Sequence, residues 1–241
     1  MILNLNISYN GDILRSLEVD TSKINTKVLK EKASNRYLVN RYEVNISDDI
    51  KDFCWDFCSK IIKSKNQFDR LTPYWANDEQ LKELIRIQRS YAGKIAEVAF
   101  LIFLAQQGIT TNYDDMFEIY EGQCNTDSYD FITLENNTVD IKAAFRPDHK
   151  MLVVNCQQLN RIPKDYYVGV KLNASDRDKE NKIIDDASIT KAKIYGYAEC
   201  NYLNNLGTGS LGEATCKQVL LKNLMGIDRL IKEFYPKNIW G

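Results

Sequence analysis

The sequence predicts an α/β fold in which helices flank a mixed β-sheet, preceded by a mainly helical N-terminal extension. Residues 93–104 are apolar on nearly all sides, which is typical of a buried helix. Residues 129–144 contain two short strand-like segments joined by a polar turn. Strand-like and helix-like segments then follow one another, with strands expected at 151–154, 166–172 and 192–198. This succession is what a sheet covered by helices requires.

We expect the 241 residues to divide into an extension over 1–76 and a core over 77–241. The extension would serve recognition or dimerisation. Residues 1–7 alternate like a strand, and Ser47 predicts the start of a helix that runs to about Lys63. Residues 23–44 interleave lysines and arginines with tyrosines. This basic segment fits the solvated face of a helix better than a surface that follows a phosphate backbone.

Composition is that of an ordinary globular chain, with 44% hydrophobic and 27% charged residues. The net charge of −1 supplies no overall basic field for nucleic acid, although a local basic patch would be hidden in the sum. We find neither a signal peptide nor an apolar run of transmembrane length, so we expect a cytoplasmic protein without a membrane partner. The six cysteines are expected to be free thiols.

The strand-like pair over 129–144 gathers charge at one place. If residues 135–137 form the loop of a hairpin, Asp130 lies opposite Lys142. Because side chains alternate along a strand, Asp130, Asp140 and Lys142 then project from one face. A register shift of one residue would separate these charges.

Two close carboxylates in a sheet repel each other, and burial makes each of them costly unless it is paired. A divalent cation relieves both problems, and hard Mg²⁺ binds oxygen ligands of this kind. The alternative is an ordinary surface hairpin with a cross-strand pair between aspartate and lysine.

Asp130 followed by Asp140-Ile141-Lys142 resembles the bipartite motif of the PD-(D/E)XK nucleases, a superfamily that includes most type II restriction endonucleases. The helix that usually precedes this motif carries a glutamate, which matches Glu97. The proline of the family name is replaced by Tyr129. The resemblance covers residues 78–200 and implies a restriction-endonuclease-like core.

The resemblance also implies roles for these residues. Asp130, Asp140 and the backbone carbonyl of Ile141 would hold Mg²⁺, and Glu97 would bind a second metal or its water. Lys142 would orient the attacking water and stabilise the charge that develops on the phosphate. The catalytic set is therefore Glu97, Asp130, Asp140 and Lys142.

Basic and amide side chains around this motif are candidates for contacts to double-stranded DNA, because arginine, asparagine and glutamine reach phosphates and base edges. The candidate DNA-binding residues are Arg89, Lys94, Arg146, His149, Lys150, Gln157, Gln158 and Arg161.

The function expected from these features is that of a Mg²⁺-dependent type II restriction enzyme, which cuts double-stranded DNA at a specific sequence and leaves 5′-phosphates. A free-standing enzyme of this type is expected to act as a homodimer, since a palindromic duplex presents two equivalent phosphates. One alternative is a structure-directed nuclease of recombination or repair. Another is a non-catalytic protein of the same fold that binds nucleic acid or a protein partner.

Overall fold

A six-stranded mixed β-sheet forms the centre of the computed structural model, which describes residues 1–33, 37–63, 72–73, 75–120, 129–210 and 214–236. The strands are β1 (Ile2–Tyr9), β2 (Asp12–Asp20), β3 (Thr26–Lys32), β4 (Leu38–Asn45), β5 (Glu118–Ile119), β6 (Phe131–Ile132), β7 (Thr138–Ala144), β8 (Met151–Asn155), β9 (Tyr166–Leu172), β10 (Ser175–Asp178), β11 (Ile183–Asp185), β12 (Lys191–Glu199), β13 (Thr208–Ser210) and β14 (Thr215–Leu220). The α-helices are α1 (Asp48–Lys63), α2 (Glu79–Gln106), α3 (Cys156–Arg161), α4 (Cys200–Asn204) and α5 (Ile227–Ile231).

The central sheet has the strand order β3-β4-β12-β9-β7-β6. Strands β7 and β9 are parallel, and the other neighbours in this sheet pair antiparallel. The predicted α/β class with a mixed sheet and flanking helices is therefore confirmed. Smaller sheets have the orders β2-β1-β5, β13-β14-β8 and β10-β11.

Both faces of the central sheet are covered. Helix α2 packs against β4, β12, β9 and β7 on one face. Val168 and Val170 of β9 are buried in the same cluster as the apolar residues of α2. Tyr167 of β9 belongs to a second cluster, which it shares with residues of β8 and β14. Because β9 is buried on both faces, residues 166–172 are almost continuously apolar.

The extent of α2 follows from the residues at its ends. The carboxylate of Asp78 caps the N-terminus by accepting hydrogen bonds from the backbone N–H groups of Gln80 and Leu81, at 3.3 and 3.2 Å. Gly108 follows the C-terminus with a φ of +77°, a left-handed conformation that glycine adopts without a steric penalty. The buried helix expected over 93–104 is thus the second half of one 28-residue helix.

The expectation of a mainly helical N-terminal extension is wrong for the described residues. Strand β1 is present as predicted, and α1 begins at Asp48 with the hydroxyl of Ser47 accepting from Ile50 N–H. Residues 26–32 and 38–45, however, form a hairpin of two strands rather than a helix. Arg36 of this basic segment lies outside the described residues.

Tertiary pairing explains the strand conformation of residues 38–45. Strand β4 hydrogen-bonds to β12, and therefore the predicted extension and the predicted core contribute to one sheet. Arg41 is buried, and its guanidinium donates to the backbone carbonyls of Lys222 and Leu224. Strand β3 keeps polar side chains on its surface, so it shows no apolar stripe that local sequence could identify.

The helices and cysteines of the described residues bear on two further expectations. Within the described ranges, no helix has the combination of length and apolar character that crossing a membrane requires. The five described cysteines are free thiols, and Cys124 lies outside the described residues.

Candidate active site

The hairpin that carries the predicted motif forms with its loop one residue earlier than expected. Thr133 donates its backbone N–H to the carbonyl of Asn137 at 2.9 Å, so residues 134–136 make the loop. Asn136 has a φ of +63°, which suits the left-handed position that ends a three-residue loop. Phe131 then pairs with Val139, and the predicted pairing of Asp130 with Lys142 is wrong. The pairing differs by two residues from the predicted one, whereas Asp140 and Lys142 share a face of β7 in any register.

Asp140 and Lys142 project from the same face of β7. The ammonium nitrogen of Lys142 lies 2.5 Å from Oδ2 of Asp140, and the Asp140 residue is 7% exposed. The same ammonium donates to the amide oxygen of Gln158 on α3 at 3.1 Å. Lys142 is therefore held between a carboxylate from its own strand and an amide from the next helix.

Asp130 reaches this pair from the edge of β7. Strand β6 is only two residues long, and Oδ2 of Asp130 accepts from the backbone N–H of Ile141 at 2.6 Å. The carboxylate thus takes the place of a backbone acceptor for β7 immediately before β6 begins. Asp130 is partly exposed, yet it lies deep enough among protein atoms for burial to be the largest influence on its pKa.

Three carboxylates share this region. Burial raises the pKa of Asp130 well above its ordinary value, and the negative charges of Glu97 and Asp140 raise it further. The N–H of Ile141 and the ammonium of Lys94 act in the opposite direction. The charges of Glu97 and Asp140 both act on Asp130, and the catalytic role of the three carboxylates stays a prediction.

Glu97 lies on α2 with a lysine as its immediate partner. Lys94 Nζ is 2.6 Å from Oε2 of Glu97, and the two side chains are 16% and 13% exposed. The ammonium of Lys94 also lies 5.6 and 5.7 Å from the ring centroids of Phe57 and Phe117. This environment makes Lys94 an internal partner of Glu97, in contrast to its predicted role at the DNA surface.

Except for Gln158, the remaining predicted DNA contacts fall into two groups, one around His149 and one exposed. Burial lowers the pKa of His149 to about 4, and the positive charges of Arg146 and Arg89 contribute to this fall. Lys171, which is not one of the predicted contacts, donates to the backbone carbonyls of Arg146 and His149. The exposed group consists of Lys150, Gln157 and Arg161. Gln158 belongs to neither group, because it binds Lys142.

Lys164 is a site residue that sequence reasoning missed. It precedes β9, the parallel neighbour of β7, in which Tyr167 pairs with Asp140. The residue is 5% exposed, and the charges of Asp140, Lys142 and Asp130 all influence its pKa. Nothing in the local sequence marks Lys164, since its position depends on the pairing of two strands that are distant in sequence.

The donor chemistry of these residues suits a hard cation. Oδ2 of Asp140 is buried and forms an ion pair with the ammonium of Lys142, and it accepts no hydrogen bond from the described residues. Asp130 offers a second carboxylate, whose pKa is raised by burial and also by the negative charges of Glu97 and Asp140, which a cation would neutralise. In the described parts of the chain, however, no three acidic, histidine or cysteine side chains are arranged as a ready metal site.

Comparisons of this chain with protein-family models, with curated proteins and with solved structures find no match.

Proposed function

We propose that this protein is a Mg²⁺-dependent endonuclease that hydrolyses phosphodiester bonds of double-stranded DNA. The proposal rests on the buried pair of Asp140 and Lys142, which is joined by the carboxylates of Asp130 and Glu97. Acidic oxygen ligands next to an oriented ammonium are the groups that metal-assisted phosphoryl hydrolysis requires. The motif resemblance supports a restriction-endonuclease-like core and the finer proposal of a type II restriction enzyme.

Asp130 and Asp140 would hold the cation, with the carbonyl of Ile141 as a further ligand and Glu97 close to them. Mg²⁺ supplies Lewis-acid stabilisation of charge on the scissile phosphate. In the present arrangement, the Lys142 ammonium neutralises Asp140, and an incoming phosphate offers it a second anionic partner. Gln158 fixes the orientation of this ammonium, so its charge is preorganised for the negative charge that develops in the transition state.

Basic and amide side chains around the proposed site support DNA as the substrate. Arg89, Arg146 and Lys171 place positive charge around His149, and Lys150 and Arg161 are exposed. Such residues contact phosphates without regard to sequence, whereas the amide of exposed Gln157 can contact base edges. Cleavage of both strands at a palindromic site favours a homodimer with one site per strand, and the products would carry 5′-phosphates.

The test is digestion of a large DNA of known sequence by the purified protein with Mg²⁺, with EDTA, and with the Asp140→Asn variant. The matched control is Asp48→Asn, since the side chain of Asp48 is 90% exposed and pairs with Lys51 on α1. We expect discrete bands that require both Mg²⁺ and Asp140 and that the control retains. Equal cleavage by Asp140→Asn and wild type would refute the site.

Other outcomes select the alternatives. A smear that requires Mg²⁺ and Asp140 indicates a nuclease without sequence preference, and a preference for four-way junctions over linear duplex indicates a structure-directed enzyme. DNA that stays intact under every condition, with substrates that differ in sequence and methylation, contradicts the proposed hydrolysis.

A non-catalytic nucleic-acid-binding protein is the second candidate function. It is favoured by the partners that the acids already have, since Glu97 pairs with Lys94, and Asp130 accepts from Ile141. Calorimetric titration with Mg²⁺ and Mn²⁺ separates the two candidates. Saturable binding that Asp140→Asn removes supports the nuclease, and DNA binding by a protein that takes up neither ion supports the second candidate.

A further inference from the structure

Lys164 is a buried lysine whose backbone is fixed beside the acidic residues. Its backbone N–H donates to the hydroxyl of Tyr167 at 3.0 Å. The next residue, Asp165, accepts through Oδ2 from the backbone N–H and the hydroxyl of Thr138, at 2.7 and 2.8 Å. These bonds tie the segment before β9 to the start of β7, the strand that carries Asp140. The position of Lys164 is therefore set by the strands that build the site.

The ammonium of Lys164 retains the capacity to bind an anion. Its hydrogen bond in the described structure is to the backbone carbonyl of Ile162, at 3.0 Å. An ammonium has three N–H donors, so this bond leaves donors for another partner. Lys94 and Lys142, by contrast, each form an ion pair with a carboxylate. Lys164 is thus the lysine of this cluster that no carboxylate holds at ion-pair distance among the described residues.

The charges around Lys164 indicate what that partner would be. Burial lowers the pKa of Lys164 most, Lys142 lowers it further, and the carboxylates of Asp140 and Asp130 raise it, so all three charges act on its ammonium. The carboxylates Glu97, Asp130 and Asp140 are matched by the ammonium groups of Lys94, Lys142 and Lys164. A cation bound at the aspartates would release the lysines from this balance and leave positive charge for an anion. The anion that the proposed reaction brings to this place is a phosphodiester.

We propose that Lys164 is a second phosphate-binding lysine, which holds the DNA phosphate together with Lys142. This inference rests on the proposed nuclease function. Its chemical basis is that a buried, preorganised ammonium binds charge that develops nearby without first having to be reoriented. Lys164 would contact the substrate directly, and Asp165 and Tyr167 would position its backbone.

The experiment compares Lys164→Gln and Lys164→Arg with wild type in steady-state cleavage of DNA in Mg²⁺. The matched control is Lys51→Gln. Lys51 is 8% exposed and, like Lys164, donates to a backbone carbonyl at 3.0 Å, that of Ala187, but its ion-pair partner on α1 is Asp48, which does not belong to the proposed catalytic set. We expect Lys164→Gln to lower kcat/KM by roughly 10²-fold. Lys164→Arg should recover a substantial part of this loss because it restores the positive charge.

A second measurement guards against a folding defect. Added methylammonium should raise the cleavage rate of Lys164→Ala, because it supplies the missing charge, and should leave Lys51→Gln unchanged. A purely structural role for Lys164 predicts no such rescue. Thermal unfolding of every variant shows whether the compared proteins are folded.

The outcomes separate this inference from the function on which it rests. If wild type cleaves DNA and Lys164→Gln cleaves it with unchanged kcat and KM, the role of Lys164 is refuted and the nuclease stands. The role is also refuted if Lys51→Gln loses as much activity as Lys164→Gln, or if neither arginine nor methylammonium restores cleavage. If wild type cleaves no DNA, the nuclease proposal fails, and the inference fails with it.

Discussion

The amide oxygen of Gln158 accepts a hydrogen bond from the Lys142 ammonium at a distance of 3.1 Å. Gln158 lies on α3, whose first turn is fixed by Asn155, which accepts from the N–H of Gln157 at 2.7 Å. The amide is therefore presented from a capped helix to the strand that carries the proposed catalytic lysine. Its partner in the structure is an internal lysine, whereas its residue type suggested a contact with a DNA base.

The first prediction is that Gln158→Ala slows cleavage without weakening DNA binding. A hydrogen bond to a charged group contributes about 1.5 kcal/mol, which corresponds to roughly a tenfold fall in kcat. Asn160→Ala is the matched control, because Asn160 is an exposed amide on the same helix. Single-turnover cleavage gives the rate, and fluorescence anisotropy in Ca²⁺ gives the affinity. A loss of affinity with an unchanged rate would show that Gln158 reads DNA.

The second prediction concerns stability at acidic pH. Burial lowers the pKa of His149 from 6.5 to about 4, and the unfolded chain binds the proton more readily than the folded one. The contribution of neutral His149 is therefore fully present above pH 6.5 and is lost as the pH falls towards 4. We expect the free energy of unfolding to fall less steeply over this interval in His149→Asn.

Urea unfolding at a series of pH values checks this expectation. His149 is the only histidine of the chain, so the difference between the wild-type and variant curves reports on one imidazole. Curves that stay parallel between pH 6.5 and 4 would contradict the assigned shift.

The third prediction tests the position of the hairpin loop. Asn136 has a positive φ, so Asn136→Gly should leave stability unchanged or raise it by up to about 1 kcal/mol. Asn137→Gly should be destabilising, because Asn137 donates its side-chain amide to Glu233 at 2.9 Å. Thermal unfolding measures both effects. If Asn136→Gly destabilised the protein and Asn137→Gly did not, the result would indicate the loop over 135–137 that the sequence predicted.

The fourth prediction concerns Gly196, at an irregularity of β12. Its φ is +131°, and an added Cβ would lie 1.9 Å from the carbonyl oxygen of Met225. That carbonyl accepts from Tyr197 N–H, so relief of the clash would break a contact of the central sheet. Gly196→Ala should cost about 3 kcal/mol or more.

The control for this prediction is Gly207→Ala. Gly207 is exposed, and an added Cβ there meets no atom within 4 Å. Urea unfolding should show an effect of Gly207→Ala on the free energy of unfolding that stays within about 0.5 kcal/mol. Equal effects of the two substitutions would contradict the close packing of Gly196 against Met225.

Sequence patterns predicted the features that depend on neighbouring residues, such as which side chains of one strand share a face. The shared face of Asp140 and Lys142 follows from strand alternation, and it is unaffected by the error in the loop because residues i and i+2 of one strand share a face in any register. The loop itself was misplaced because both Asn136 and Asn137 suit a turn, and tertiary contacts decide between them.

The residues that sequence analysis misassigned depend on contacts between distant segments. Lys94 looked like a surface cation, but the rings of Phe57 and Phe117 enclose it beside Glu97. Lys164 was overlooked because the pairing of β7 with β9 brings it to the site. The strand conformation of β4 was not predicted, because it depends on pairing with β3 and β12 on either side.

The pairing of β4 with β12 has a consequence for synthesis of the chain. Most of the polypeptide separates these two strands, so β4 must wait for its inner neighbour until translation has passed residue 191. Contacts between such distant segments form slowly, and an unpaired strand edge meanwhile invites association with other chains. Premature termination before β12 would therefore leave the β3–β4 hairpin with an unpaired edge on β4 that favours aggregation, rather than a smaller functional protein.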